Sequence, residues 1–319
     1  MYFDLPLAEL EGYRGEVTLP PDFGEFWRDT VSEARAHAWA PQRTRVDTPL
    51  TLVDVWDVTF AGFVGDPIKA WLFLPRGAAG PLPAVVHYQG YGGGRDHWLA
   101  NLAYPAAGYA LLFMDSRGQG SGWSVGATAD PHGSGPAIPG VMTRGIADKA
   151  TYYYRRLMTD AILAVDAVRA FPEIDPDRVA VTGASQGGGL TLAAAAFAEG
   201  VRAACPRVPF LTNYARAFAI TDDYPYREVV DYLARHRDEV DAVMATLAYF
   251  DGVNFARLAA VPAAFTVALM DTTVPPSCVF AAYNNYAGEK AMTVWPHNGH
   301  ESGEWEDLAL SLGFFGQWV

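Results

Sequence analysis

The chain has 319 residues, of which 50% are hydrophobic and 18% charged, enough apolar material for one large α/β domain and too much for disorder. Its net charge of −13 repels phosphate backbones and gives anionic lipid no basic footing, so nucleic acid and membrane surfaces are not expected partners. No run approaches the roughly 18 uninterrupted apolar residues of a membrane span, and the Met1-Tyr-Phe-Asp-Leu-Pro start lacks the basic and apolar regions of a secretory leader. Two cysteines, Cys205 and Cys278, fit a reduced, cytoplasmic protein with both as small core residues, although spacing alone leaves a disulfide between them open.

Residues 1–47 read as an N-terminal extension, with helical spacing of aromatic and apolar residues from Asp22 to Arg35. Alternation then takes over at Leu50–Phe60 and Ile68–Leu74, separated by Gly62-Phe-Val-Gly65, which predicts antiparallel strands opening a sheet. Ala84–Tyr88 and Tyr109–Asp115 read as buried strands. The first runs into the glycine-rich Gln89–Gly94 and the second into Ser116–Gly120. Residues 121–150 read as a long excursion loop, and Thr159–Ala170 as a helix that stops before Pro172. After a strand and helix around residue 185, residues 206–258 interrupt the alternation with two helical patterns, read as an insertion that caps the site or makes subunit contacts. Strands at Ala263–Met270 and Ala291–Trp295 and a C-terminal helix from Glu304 complete a single domain over 1–319. The alternation predicts a mostly parallel sheet with helices on both faces.

The run Arg178-Val-Ala-Val-Thr-Gly-Ala-Ser185-Gln-Gly-Gly carries the chemistry. A β-branched strand ends at Gly183, a serine stands at the apex, and a helix follows, in the pattern G-x-S-x-G. This predicts the nucleophile elbow of an α/β-hydrolase, where small neighbours are needed because the backbone is cramped. In that fold the partners follow in the order nucleophile, acid, base. Asp271 ends the next strand, and His300 lies in the loop after the last one. A neutral imidazole takes the serine proton and a carboxylate orients the ring, which assigns Ser185, Asp271 and His300.

Rivals exist for two of the three. His297 lies on the same loop as His300; Asp115 also ends a strand but precedes Ser185, and is expected to pair with Arg117 or orient a loop. Glu301 is a candidate brace, His87 a core or support residue, and His37, His97, His132 and His236 surface or loop residues. The backbone N–H groups of Gln186 and Tyr91 are the candidate oxyanion donors. Gly90–Gly94 lacks the Gly-Lys-Ser/Thr of a phosphate loop, and no cluster has metal-ligand spacing, so neither cofactor nor metal is expected.

Three blocks, Arg117-Gly118-Gln119-Gly120, Gly183-Ala-Ser-Gln-Gly-Gly188 and His300-Glu301, resemble together the acetyl xylan esterase and cephalosporin C deacetylase family, the seventh carbohydrate-esterase family. Met142–Ile146, Thr151–Arg156, Tyr249–Phe255 and Met270–Ser277 extend the likeness over nearly the whole chain. The resemblance implies deacetylation of short acetylated xylo-oligosaccharides and of cephalosporins by a cytoplasmic, ring-like homohexamer. It implies the same triad and oxyanion donors, a scaffolding role for Arg117 to Gly120, and an acyl pocket near Tyr91 and Pro225. Peptidases of this fold carry a β-propeller, for which no repeats exist here; a lipase would show a hydrophobic lid, whereas the insertion is tyrosine-rich and charged. A non-catalytic scaffold is disfavoured because every triad position is filled.

Overall fold

A computed structural model describes residues 2–78, 80–133 and 135–319. The N-terminal segment forms α1 (Leu7–Leu10) and α2 (Phe23–Ala36), and then β1 (Gln42–Val46), β2 (Val53–Ala61) and β3 (Pro67–Pro75). There follow β4 (Leu82–Tyr88), α3 (Ala103–Ala106), β5 (Ala110–Met114), α4 (Tyr153–Arg169), β6 (Ile174–Ala184), α5 (Gln186–Phe197) and β7 (Val201–Arg207). The chain continues through α6 (Tyr214–Ile220), α7 (Tyr226–Leu233), α8 (Val240–Leu247) and α9 (Gly252–Ala256), and ends with β8 (Ala263–Ala268), α10 (Pro276–Asn285), β9 (Lys290–Trp295) and α11 (Trp305–Trp318).

The nine strands form one sheet in the order β1-β2-β3-β5-β4-β6-β7-β8-β9. The first three, and β3 on β5, pair antiparallel; the other pairs are parallel. This is the α/β-hydrolase arrangement anticipated above. Alternate residues of the central strands serve two cores. Ala84, Val86, Val179, Val181 and Ala204 face the larger, with α2, α4, α5 and the helices after β7. Val85, Ala180, Ala203 and Cys205 face the smaller, closed by Tyr104 and Phe315. Both cysteines are buried free thiols.

Several local expectations change. The extension contributes a strand, β1, whose QRTRV sequence is polar because it is an edge with little burial. Residues 206–258 hold four helices rather than two, and the helix expected from Thr159 starts at Tyr153. Among the described residues, no helix or strand lies between Met114 and Tyr153.

Candidate active site

Ser185 sits at φ 56° and ψ −120°, between the end of β6 and the start of α5. That backbone is strained and is held from both sides: Ser185 N–H donates to the Arg207 carbonyl (3.0 Å), and the Ser185 carbonyl accepts from Phe210 N–H (3.0 Å). The flanking glycines are sterically required. A Cβ on Gly183 would stand 2.6 Å from the Gly187 backbone, and one on Gly187 only 2.2 Å from the Tyr88 carbonyl oxygen.

The structure brings Ser185, His300 and Asp271 into one hydrogen-bonded line. His300 Nε2 lies 3.0 Å from Ser185 Oγ, and His300 Nδ1 lies 2.8 Å from Asp271 Oδ2. Asp271 is fully buried, and its other oxygen accepts from the N–H groups of Thr273 (2.9 Å) and Val274 (2.8 Å). Those two bonds fix the carboxylate so that one oxygen is left for the imidazole. His297 is exposed and hydrogen-bonds nothing among the described residues, so geometry separates the two candidate bases. Glu301 braces the loop rather than the ring: its Oε1 accepts from Gly299 N–H (3.0 Å) and the Asn298 amide (3.1 Å).

The two candidate oxyanion donors have neighbours that are engaged while they themselves are not. Gly90 N–H goes to the Gln89 side chain (3.1 Å) and Gly92 N–H to Gln119 Oε1 (2.7 Å), but Tyr91 N–H has no acceptor among the described residues. Gln186 N–H, at the first position of α5, likewise has none. Gln119 joins the two donor segments. Its oxygen holds Gly92, and its nitrogen donates to Gln186 Oε1 and to the Tyr153 hydroxyl, both at 2.9 Å.

Arg117 carries the rest of this frame. Fully buried, it makes a fork to Asp160 (2.6 and 2.8 Å) and reaches Asp66 (2.8 Å) and Asp130 (3.4 Å). Asp115 is not its partner: its oxygens accept instead from the N–H groups of Arg95 (2.8 Å) and Ala127 (2.6 Å) and from Thr128, so it orients loops. The left-handed Gly118 and Gly120 (φ 63° and 97°) turn the chain between these anchors, and a Cβ on Gly120 would meet Gly126 at 2.2 Å.

Glu228 is a residue that sequence reasoning did not find. Its Oε1 accepts from the Tyr91 hydroxyl (2.6 Å) and its Oε2 from Met142 N–H (3.1 Å), while the Tyr91 oxygen accepts from Val141 N–H (2.7 Å). Burial pushes the Glu228 carboxyl up from its ordinary value, partly offset by the Tyr91 hydrogen bond. Pro225 is buried at the start of α7, one turn before Glu228, and among the described residues it forms no hydrogen bond to the triad. The same segment ties to the acid loop, where Thr272 Oγ1 donates to Asp223 (2.6 Å).

The family model for acetyl xylan esterase (AXE1) matches residues 1–309. The chain belongs to this family, one of carboxylic ester hydrolases. It is 37% identical to a solved acetyl xylan esterase from Paenibacillus sp. R4, covering 99% of this chain and 100% of that one, with a TM-score of 0.92. Against acetyl xylan esterase 1 from Thermoanaerobacterium sp. JW/SL YS485 the identity is 35%, the coverage 97% and 98%, and the TM-score 0.89. The acetyl esterase Axe7A of Xylanibacter ruminicola is 26% identical over 286 residues, 88% of this chain; the match spans only 63% of that longer relative. No described helix is long and apolar enough to cross a membrane.

Proposed function

We propose that this chain is a serine carboxylesterase that removes acetyl groups from short acetylated xylo-oligosaccharides and related small acetyl esters, cephalosporin C included. The observation that carries the reading is the line from Ser185 Oγ through His300 to the buried Asp271. Ser185 Oγ attacks the acyl carbon while its proton passes to His300 Nε2; Asp271 holds Nδ1–H and stabilises the imidazolium. The oxyanion takes up the free N–H groups of Tyr91 and Gln186, each worth about 2.7–4 kcal/mol of barrier. His300 returns the proton to the departing alcohol. Water, deprotonated by the same imidazole, then releases acetate and restores the serine.

Tyr91 and Pro225 form the acyl pocket in this reading, with Glu228 holding the Tyr91 ring. A single methylene changes binding by only about 1–3 kcal/mol, so propionyl esters are cleaved as well. The reading includes a cytoplasmic homohexamer, in keeping with two unpaired thiols and the family likeness. The runner-up is a short-chain carboxylesterase with a different physiological ester.

Ser185→Ala tests the mechanism. Hydrolysis of p-nitrophenyl acetate is expected to fall by at least about a thousandfold with the fold intact by circular dichroism. Turnover near that of the parent removes the serine mechanism. With the parent enzyme, a preference for octanoyl over acetyl p-nitrophenyl esters excludes the small acyl pocket.

A further inference from the structure

A cavity of about 520 Å³ lies apart from Ser185, Asp271 and His300, on the side of the sheet that carries the smaller core. His87 near the end of β4 and Arg207 at the end of β7 form its floor, and the segment Leu99–Tyr104 and the start of α11 form its walls. Its polar side chains are unpartnered. The buried Arg207 Nε and His87 Nδ1 have no hydrogen-bond partner among the described residues. The Tyr104 hydroxyl, close to Thr182 and Ser311, completes no hydrogen bond to either, though Tyr104 is only 3% exposed.

Arg207 is the informative member. It is half-buried and forms no ion pair or side-chain hydrogen bond among the described residues, whereas the other arginines without such a bond (Arg14, Arg28, Arg178 and Arg237) are all exposed. This occurs in a protein with thirteen surplus negative charges, where most buried guanidinium groups have found carboxylates. A guanidinium whose Nε is sealed from water without a partner is costly, and a planar carboxylate is the group whose geometry it matches. Glu304 is the one carboxylate lining the cavity; it is exposed and does not reach Arg207 within ion-pair distance. The remaining walls are mostly apolar, with Leu99, Leu102, Ala103 and Leu308 beside the one amide of Asn101, and Trp305 at the mouth.

We propose that this cavity binds a small organic carboxylate with an apolar body, the carboxylate on Arg207 and the body against Leu99, Leu102 and Leu308. His87 and Tyr104 supply the further polar contacts. The site is independent of the ester reaction.

Isothermal calorimetry with benzoate tests it on the full chain, both untreated and after Ser185 has been blocked with a fluorophosphonate. Benzoate is expected to bind once per chain in both preparations. Neutral benzamide and inorganic phosphate, lacking the charge and the apolar body respectively, are each expected to bind at least about tenfold more weakly. Arg207→Gln is expected to weaken benzoate by about tenfold or more and Arg207→Lys by less. Leu102→Trp, which fills the cavity and spares the guanidinium, is expected to abolish binding; circular dichroism and urea midpoints verify that each variant folds. Unchanged benzoate affinity in folded Arg207→Gln, loss of binding on blocking Ser185, phosphate binding as tightly as benzoate, or no heat with benzoate up to about 10 mM overturns the proposal.

Discussion

Gly187 illustrates how a single missing Cβ makes the site. The carbonyl of Tyr88 occupies the space a side chain would need, so that the end of β4 and the start of α5 pack closely beside Ser185. Gly187→Ala is expected to lower stability by about 1–3 kcal/mol, measured by urea unfolding, and to depress p-nitrophenyl acetate turnover beyond what the stability loss explains. An alanine variant as stable and as active as the parent contradicts the close approach. At this scale Ser185, Asp271 and His300 were legible in the sequence, because the elbow has a local backbone signature and the chain order fixes its partners. Glu228 was not. In Tyr226–Leu233 it reads as one more charge on an amphipathic helix, and only tertiary structure brings it under Tyr91. Of the two roles expected for Asp115, orienting a loop holds and pairing with Arg117 does not, for the same reason: Asp115 is near in sequence, but Asp160, from the middle of α4, is near in space.

Among elements, α9 shows a helix start used as a junction. Asp251 caps it by accepting from Val253 N–H (2.9 Å) and also holds Asn213 N–H (3.0 Å) and Tyr214 N–H (3.2 Å) at the start of α6. Burial raises its carboxyl from 3.8 to about 6, against the lowering effect of those three N–H groups. In the window between those two values the folded chain retains a proton that the unfolded chain releases. Stability at this group is therefore greatest below pH 4, declines as pH rises to about 6, and is level above that, a fall of about 3 kcal/mol. The expected result is that the decline, followed by urea unfolding at stepped pH, is absent in Asp251→Asn. A slope unchanged by the substitution assigns it to other groups. Most strands and the longer helices were legible from periodicity, whereas β1, β7 and α10 were not; an edge strand of Gln, Arg, Thr, Arg and Val, for one, lacks an apolar rhythm.

Over the whole molecule, residues before α2 act as a strap across helices that lie far away in sequence. Asp4, buried in its side chain, accepts from Ser277 N–H (2.7 Å) and Arg216 (2.8 Å). Asn284 donates to the carbonyls of Leu10 (3.1 Å) and Tyr13 (2.7 Å), and Asn254 to that of Thr18 (2.8 Å). Removing residues 1–20 leaves these groups unpaired, and a loss of at least about 3 kcal/mol is expected in urea unfolding. An unaltered midpoint makes the strap dispensable. The sequence marked this segment as an extension but not as a tie, because its anchors, Asp4 apart, are backbone carbonyls, which any residue supplies. The proposed hexamer has its own test: sedimentation equilibrium is expected to give about six times the 34.6 kDa chain mass, and a monomer removes that part of the reading.

The amide of Gln119 has one further consequence. Because the same planar group grips Gly92 with its oxygen and Gln186 with its nitrogen, the segments that carry the two proposed oxyanion donors share a hinge pin and cannot be adjusted separately. In the proposed reaction, remodelling toward bulkier acids therefore has its freedom on the Pro225 side, while position 119 tolerates little change without slackening both segments at once.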